Sequence, residues 1–169
     1  LQKDGSFKQG LVSNKIDQTH HQFISPNKYL IDNWSDTIKY QILKSPVTEP
    51  GKYVYSDNDF IFLGMIVEKV SGMDLDAYTQ KTFYQPMGMQ STGFLPLGKT
   101  NINNIAATEL DDYYRHELIR GSVHDEGAST MGGIAGHAGL FSNATDLAKL
   151  YLMLMNNGKW EGQQYLQPS

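Results

Sequence analysis

The chain has 169 residues with 14 Lys+Arg against 18 Asp+Glu, a formal net charge of -4 and no cysteine. That balance leaves no basic stripe to neutralise phosphates, so nucleic acid is not an expected partner, and the missing thiols exclude disulfides, thiolate zinc sites and cysteine nucleophiles. The longest apolar run, Phe60 to Val67, is interrupted by Gly64 and falls well short of the roughly 20 residues a membrane span needs. The chain begins at Leu1 with no basic and apolar leader behind it, so it reads as a piece of a longer protein, a single fragment over 1–169 with any targeting segment elsewhere.

Residues 1–27 are rich in Lys, Gln, Ser, Asn and Gly without a sustained period and read as loop; 28–169 read as a helical and cleft-forming region. Trp34, Ile38 and Ile42 recur at four-residue steps, with Ser35 or Asp36 as cap and Pro46 as stop, which predicts a helix near 36–44. Pro50-Gly51 then makes a turn that delivers the chain to Tyr53-Val54-Tyr55. Asp57 or Asn58 can cap the next helix, which is apolar on nearly every side from Phe60 to Val70 and ends at Gly72. Such a helix is expected to be buried. A further helix starts at Asp74, runs through Tyr78 and Phe83, and closes at Pro86 and the Met87-Gly88-Met89 turn. Residues 90–135 read as mostly irregular, a length that suggests loops built around a site. Asn143 can accept from the backbone of Asp146 and so opens a last helix through Leu147, Leu150, Tyr151 and Leu154, ended by Gly158. The expected fold class is therefore mainly α with long loops.

Two segments carry candidate chemistry. Tyr55-Ser56-Asp57 stands between a turn and a helix N-terminus, where backbone N–H groups favour negative charge. A tyrosine acts as a general base only beside a cation, and Lys52 is the one the local sequence offers; the alternative is that Tyr55 packs and Asp57 caps the helix. The second is Gly121 to Gly127, with His124 and Asp125 as candidates for cleft lining because glycines let backbone approach a ligand; a loop-stabilising pair is the alternative. His116, His124 and His137 lack metal-ligand spacing, so no metal or other cofactor is expected. The glycines at 132, 133, 136 and 139 match neither phosphate-binding pattern. Gly-x-Ser-x-Gly is missed by one residue at Gly127 to Gly132. Ser-x-x-Lys occurs once, at Ser25 and Lys28, with Pro26-Asn27 between them arguing against the helical turn that chemistry requires.

Together several segments resemble the penicillin-recognising serine hydrolases of the class C β-lactamase, DD-peptidase and esterase type: Tyr53-Val54-Tyr55-Ser56-Asp57, Val67 to Gly72, Tyr84 to Met89, Gly121 to Asp125, Gly136 to Ser142 and Asp146 to Ala148. The likeness is closest to the serine hydrolase domain that Bacteroidetes-type proteins carry after a family 3 glycoside hydrolase domain. The resemblance implies the helical portion of an α+β β-lactamase/transpeptidase-like fold with its central sheet largely absent from this chain. It implies an acyl-serine mechanism on a β-lactam, peptidoglycan peptide or small ester, a small-molecule or peptide substrate, and export to the periplasm. Tyr55 and Asp57 match the family's tyrosine loop and inherit its catalytic role, with Ser56, His124 and Asp125 as substrate-contacting candidates. The family's serine–lysine pair and its late Lys/His-x-Gly strand have no match here, and His137 precedes the last helix, so it does not inherit the strand's role. The chain alone is therefore expected to be inactive, and apolar surface left uncovered could drive dimerisation. A non-catalytic binding or assembly module is the rival reading, and a metal-dependent hydrolase a third.

Overall fold

The computed structural model describes residues 7–47 and 49–168. Strands β1 (Val12–Ser13), β2 (His20–Ser25) and β3 (Lys28–Ile31) form an antiparallel sheet in the order β1-β3-β2. The β2–β3 hairpin turns on Pro26-Asn27, with Asn27 left-handed at φ 62°. Helix α1 (Trp34–Lys44) follows, entered from a left-handed Asn33.

After the 49–56 segment come α2 (Asp57–Ser71) and α3 (Leu75–Thr79), the latter widening into a π-helical turn, Gln80–Tyr84. Strand β4 (Gly93–Phe94) pairs with β7 (Leu140–Phe141), and β5 (Ala107–Asp111) with β6 (Glu117–Arg120). Helix α4 (Glu126–Thr130) lies between β6 and β7; α5 (Ala144–Met155) leads to a small hairpin of β8 (Lys159–Trp160) and β9 (Gln163–Gln164).

The mainly-α expectation is thus corrected. Helices hold 35% of the described residues and strands 19%, the latter in several small antiparallel sheets. The loop-rich reading of 1–27 misses β2, whose inward Ile24 packs with Leu30 and Tyr114. The irregular reading of 90–135 misses the β5–β6 hairpin. The physical reason is that most of these strands are two to five residues long and held by pairing rather than by a readable alternation.

The helix caps match local chemistry more closely. Ser56 Oγ accepts the Asn58 N–H at 3.2 Å, so the cap of α2 is one residue before those expected, and Gly72 closes the helix at φ 68°. Asn143 accepts the Asp146 N–H at 2.8 Å as anticipated. Buried side chains gather in separate clusters: Tyr84, Met87, Met89 and Met153; Ile24, Leu30 and Tyr114; and Val123, Ala128 and Ala135. Helix α2 departs from expectation here, since Ile61 and Gly64 are its buried positions while Phe60, Leu63, Ile66 and Val70 are exposed.

Candidate active site

Tyr55 lies on extended chain two residues ahead of α2 and is 64% exposed. Its ring leans on Phe60 at 5.9 Å between centroids, a contact reaching one turn into the helix. Lys52, the local cation, is paired instead with Glu49 Oε2 at 2.6 Å. Ser56 is half-buried and occupied as the cap, and Asp57 is exposed in the first turn, where a carboxylate suits the positive end of the helix.

Beside this loop, α2 receives the 135–139 turn at very close range. A Cβ on Gly136 would stand 2.0 Å from the Phe60 carbonyl oxygen and 2.9 Å from Gly64 N, so glycine is required there. The two segments frame a pocket of about 330 Å³ walled by Phe60, Leu63, Val67, Phe94 and His137. A larger hollow of about 560 Å³, around Gln80, Met89, Lys99 and Phe141, includes no residue of either candidate segment. Two of its polar side chains are already engaged, Gln80 Nε2 with Thr92 O and Lys99 Nζ with Asp76 and Phe94 O.

The 121–127 loop is organised from beneath. Arg115, fully buried, donates from Nε to Asp111 Oδ2 at 2.8 Å, from Nη1 to Val123 O at 2.6 Å and from Nη2 to His124 O. Burial of Asp111 opposes its ionisation, yet the Arg115 guanidinium and the backbone N–H groups of Tyr114, Tyr113 and Arg115 outweigh it and hold the carboxyl below its usual value. His124 is thereby fixed through its carbonyl while its residue surface stays exposed. Asp125 turns inward: Oδ1 accepts the Ala128 N–H at 2.7 Å as the cap of α4 and lies 3.0 Å from His137 Nε2.

The structure therefore brings Asp125 together with His137, not with His124, and groups Tyr55 with Phe60 and the pocket wall. Sequence reasoning weighed His137 only as a metal ligand and as a strand-motif residue, and gave no role to Arg115 or Asp111. Asp111 and Arg115, four apart and flanking an aromatic pair, were the available signal. Ser25 and Lys28 face each other across the β2–β3 turn rather than sharing a helical turn, with Ser25 buried and Lys28 Nζ 3.8 Å from Glu117. Among the described residues, no three His, Asp or Glu side chains are grouped closely enough to hold a metal ion, and no helix is long and apolar enough to cross a membrane.

Residues 19–168 match the family model described as Beta-lactamase. The chain belongs to the β-lactamase family. Among curated relatives, a candidate D-alanyl-D-alanine carboxypeptidase of Salmonella schwarzengrund (strain CVM19633) is 41% identical over 151 residues, covering 79% of this chain and 35% of that protein. Its counterpart in Salmonella newport (strain SL254) is 40% identical over the same shares. This β-lactamase-family chain thus spans about a third of the length of the curated relatives it matches. Solved structures agree on the fold. The octameric penicillin-binding protein homologue of Pyrococcus abyssi aligns with a TM-score of 0.55 at 24% identity, over 79% of this chain and 28% of that one. The D-amino acid amidase of Ochrobactrum anthropi SV3 aligns at 0.51 and 16%, over 92% and 41%.

Proposed function

We propose that this chain is the tyrosine-loop portion of a serine hydrolase that opens amide or ester bonds through an acyl-serine intermediate, with nucleophile and lysine supplied from outside the 169 residues. A peptidoglycan peptide ending in D-alanyl-D-alanine is the favoured substrate class, in keeping with the names of the 40–41% identical relatives, with β-lactams and small esters as related carbonyl compounds. A cell-wall substrate goes with export to the periplasm.

The observation that carries this reading is the exposed Tyr55 ring on an extended segment at a helix N-terminus, in contact with Phe60 of a pocket wall. An exposed phenol can exchange protons with an incoming serine or leaving group, and Asp57, also exposed, follows two residues on. Ser56 serves the loop's shape, and His124 and Asp125 belong to the loop joined to the pocket wall through the Asp125–His137 contact. The rival binding-module reading has the Ser56–Asn58 cap in its favour, since that bond alone would preserve the loop.

Acylation by a fluorescent penicillin separates the two. In the full-length protein, Tyr55→Phe is expected to slow acylation by about 10²–10⁴-fold, the usual worth of a positioned proton-transfer group. The 169-residue chain alone is expected to take no label, because nucleophile and oxyanion donors would both be absent. Unchanged acylation in the Tyr55→Phe protein would favour the module; labelling of the isolated chain would refute the division of the site.

A further inference from the structure

Away from the candidate site, the N-terminal sheet holds a histidine between two acceptors. His20 opens β2 and its side chain is 12% exposed. Nδ1 lies 2.9 Å from Asp17 Oδ1, and Nε2 lies 3.1 Å from the Gly10 carbonyl oxygen. The same Asp17 oxygen accepts the backbone N–H groups of Thr19 at 2.9 Å and His20 at 3.1 Å. The Thr19 N–H, and after it the His20 ring, hold this carboxyl below its usual range, so it stays ionised. The Thr19 hydroxyl, 3.1 Å from Nδ1, gives its own hydrogen to the carboxylate and is an acceptor on that side too. A carboxylate and a carbonyl only accept, so meeting both requires a hydrogen on each ring nitrogen, which is the imidazolium.

The neutral ring must give one hydrogen up. Nδ1–H faces an anion and makes the stronger bond, so Nε2 is the nitrogen left bare, with its lone pair against those of the Gly10 oxygen. The Asp17 turn keeps its backbone donors in either state; the tie to Gly10 alone depends on the charge. That tie crosses the end of β3, where Ile31 pairs with His20 on one side and donates its N–H to Leu11 O at 2.9 Å on the other. Beyond it, β1 is joined to β3 through two positions. The segment so lightly held covers a core: Phe7 and Val12 pack on Ile24, Leu30 and Tyr114, the Phe7 ring 5.0 Å from that of Tyr114.

We propose that His20 is a proton-operated clasp: charged, it ties Gly10 to the start of β2 and keeps the 7–13 segment over Tyr114; neutral, it releases Gly10 and lets that segment open locally. The anionic groups acting on the ring are Asp17 from the turn and Asp32 from the end of β3, and both favour the charged form. The bond to Asp17 is the main cause holding the imidazole above its ordinary value, with the Gly10 carbonyl adding to it and burial opposing. The clasp is therefore complete below about pH 6.5 and is lost as pH rises through the raised folded value. Its working is independent of what the protein hydrolyses.

Hydrogen exchange of the full-length protein, read by mass spectrometry and corrected for intrinsic rates, tests the clasp. The amides of residues 8–13 are expected to lose protection by roughly tenfold or more as pH rises through the titration of His20, while those of α5 keep theirs. His20→Gln cannot be charged and should abolish that pH dependence. His21, whose Nδ1 lies 2.8 Å from Asp32 Oδ2, is the neighbouring imidazole, and His21→Gln should leave the dependence in place. The ring nitrogen resonances of His20 give its titration and tautomer, with hydrogens expected on both nitrogens at low pH and on Nδ1 alone above it. Protection of 8–13 that does not change across that titration overturns the proposal. So does a pH dependence that survives in His20→Gln or vanishes in His21→Gln, and so does a neutral ring carrying its hydrogen on Nε2.

Discussion

At Asp125 one carboxylate oxygen accepts both the N–H that opens α4 and the Nε2–H of His137, so its loss strands two donors. Asp125→Ala is expected to lower stability by about 2 kcal/mol, the sum of a lost cap and a buried group left unmatched. Asp125→Asn keeps a carbonyl oxygen and should lose less than half of that. Urea midpoints at constant slope would check both, and equal losses would show that the charge rather than the acceptor is what matters. Asp125 was legible in the sequence as a loop residue among glycines; its partner was not. His137 is twelve residues away, returned by left-handed Gly132 and Gly133 at φ 82° and 81°, and nothing in spacing says which loop side chains such a return will join.

Between residue and fold, the β5–β6 hairpin carries its own ion pair inward. Its turn folds onto Asp111, which accepts the N–H groups of Tyr113, Tyr114 and Arg115 before meeting the guanidinium. Because the folded carboxyl binds its proton less readily than the unfolded one, its contribution is fully present above about pH 4 and disappears as pH falls through the lowered folded value. Wild-type stability should therefore decline on acidification below about pH 4, and Asp111→Asn should flatten that acid limb. At neutral pH the same substitution should cost about 3 kcal/mol or more, since it leaves a buried Arg115 without its counter-charge. Denaturant titrations across acid and neutral pH measure both effects, and an acid limb unchanged by the substitution would reject the assignment. Elements with local punctuation, such as α2 with Gly72 and α5 with Asn143, were readable because caps act within a few residues. β4 and β7 pair across 46 residues through two positions each, and short strands of that kind leave no local signal.

For the whole molecule the helices pose the sharpest question. On α2, Leu63, Ile66 and Val70 recur at helical spacing with Val70 83% exposed; on α5, Leu147, Tyr151 and Leu154 do the same, with Met155 beside them. Helix α2, read as apolar on nearly every side, was expected to be buried, and that expectation fails because nothing in the described residues packs over this stripe. Burying a side chain of this kind is worth about 1.5–3 kcal/mol, so two such stripes supply ample drive to find a cover. For the 169-residue chain in isolation, we expect a second copy to be that cover, giving self-association that grows with concentration. Val70→Lys combined with Met155→Glu should weaken it without unfolding the chain, because both side chains lie at the surface. Sedimentation velocity of the two proteins over a range of concentrations, with circular dichroism to confirm that the helices persist, decides the matter. A wild-type chain that stays monomeric, or a doubly substituted chain that associates as strongly, would mean that these stripes are not the contact.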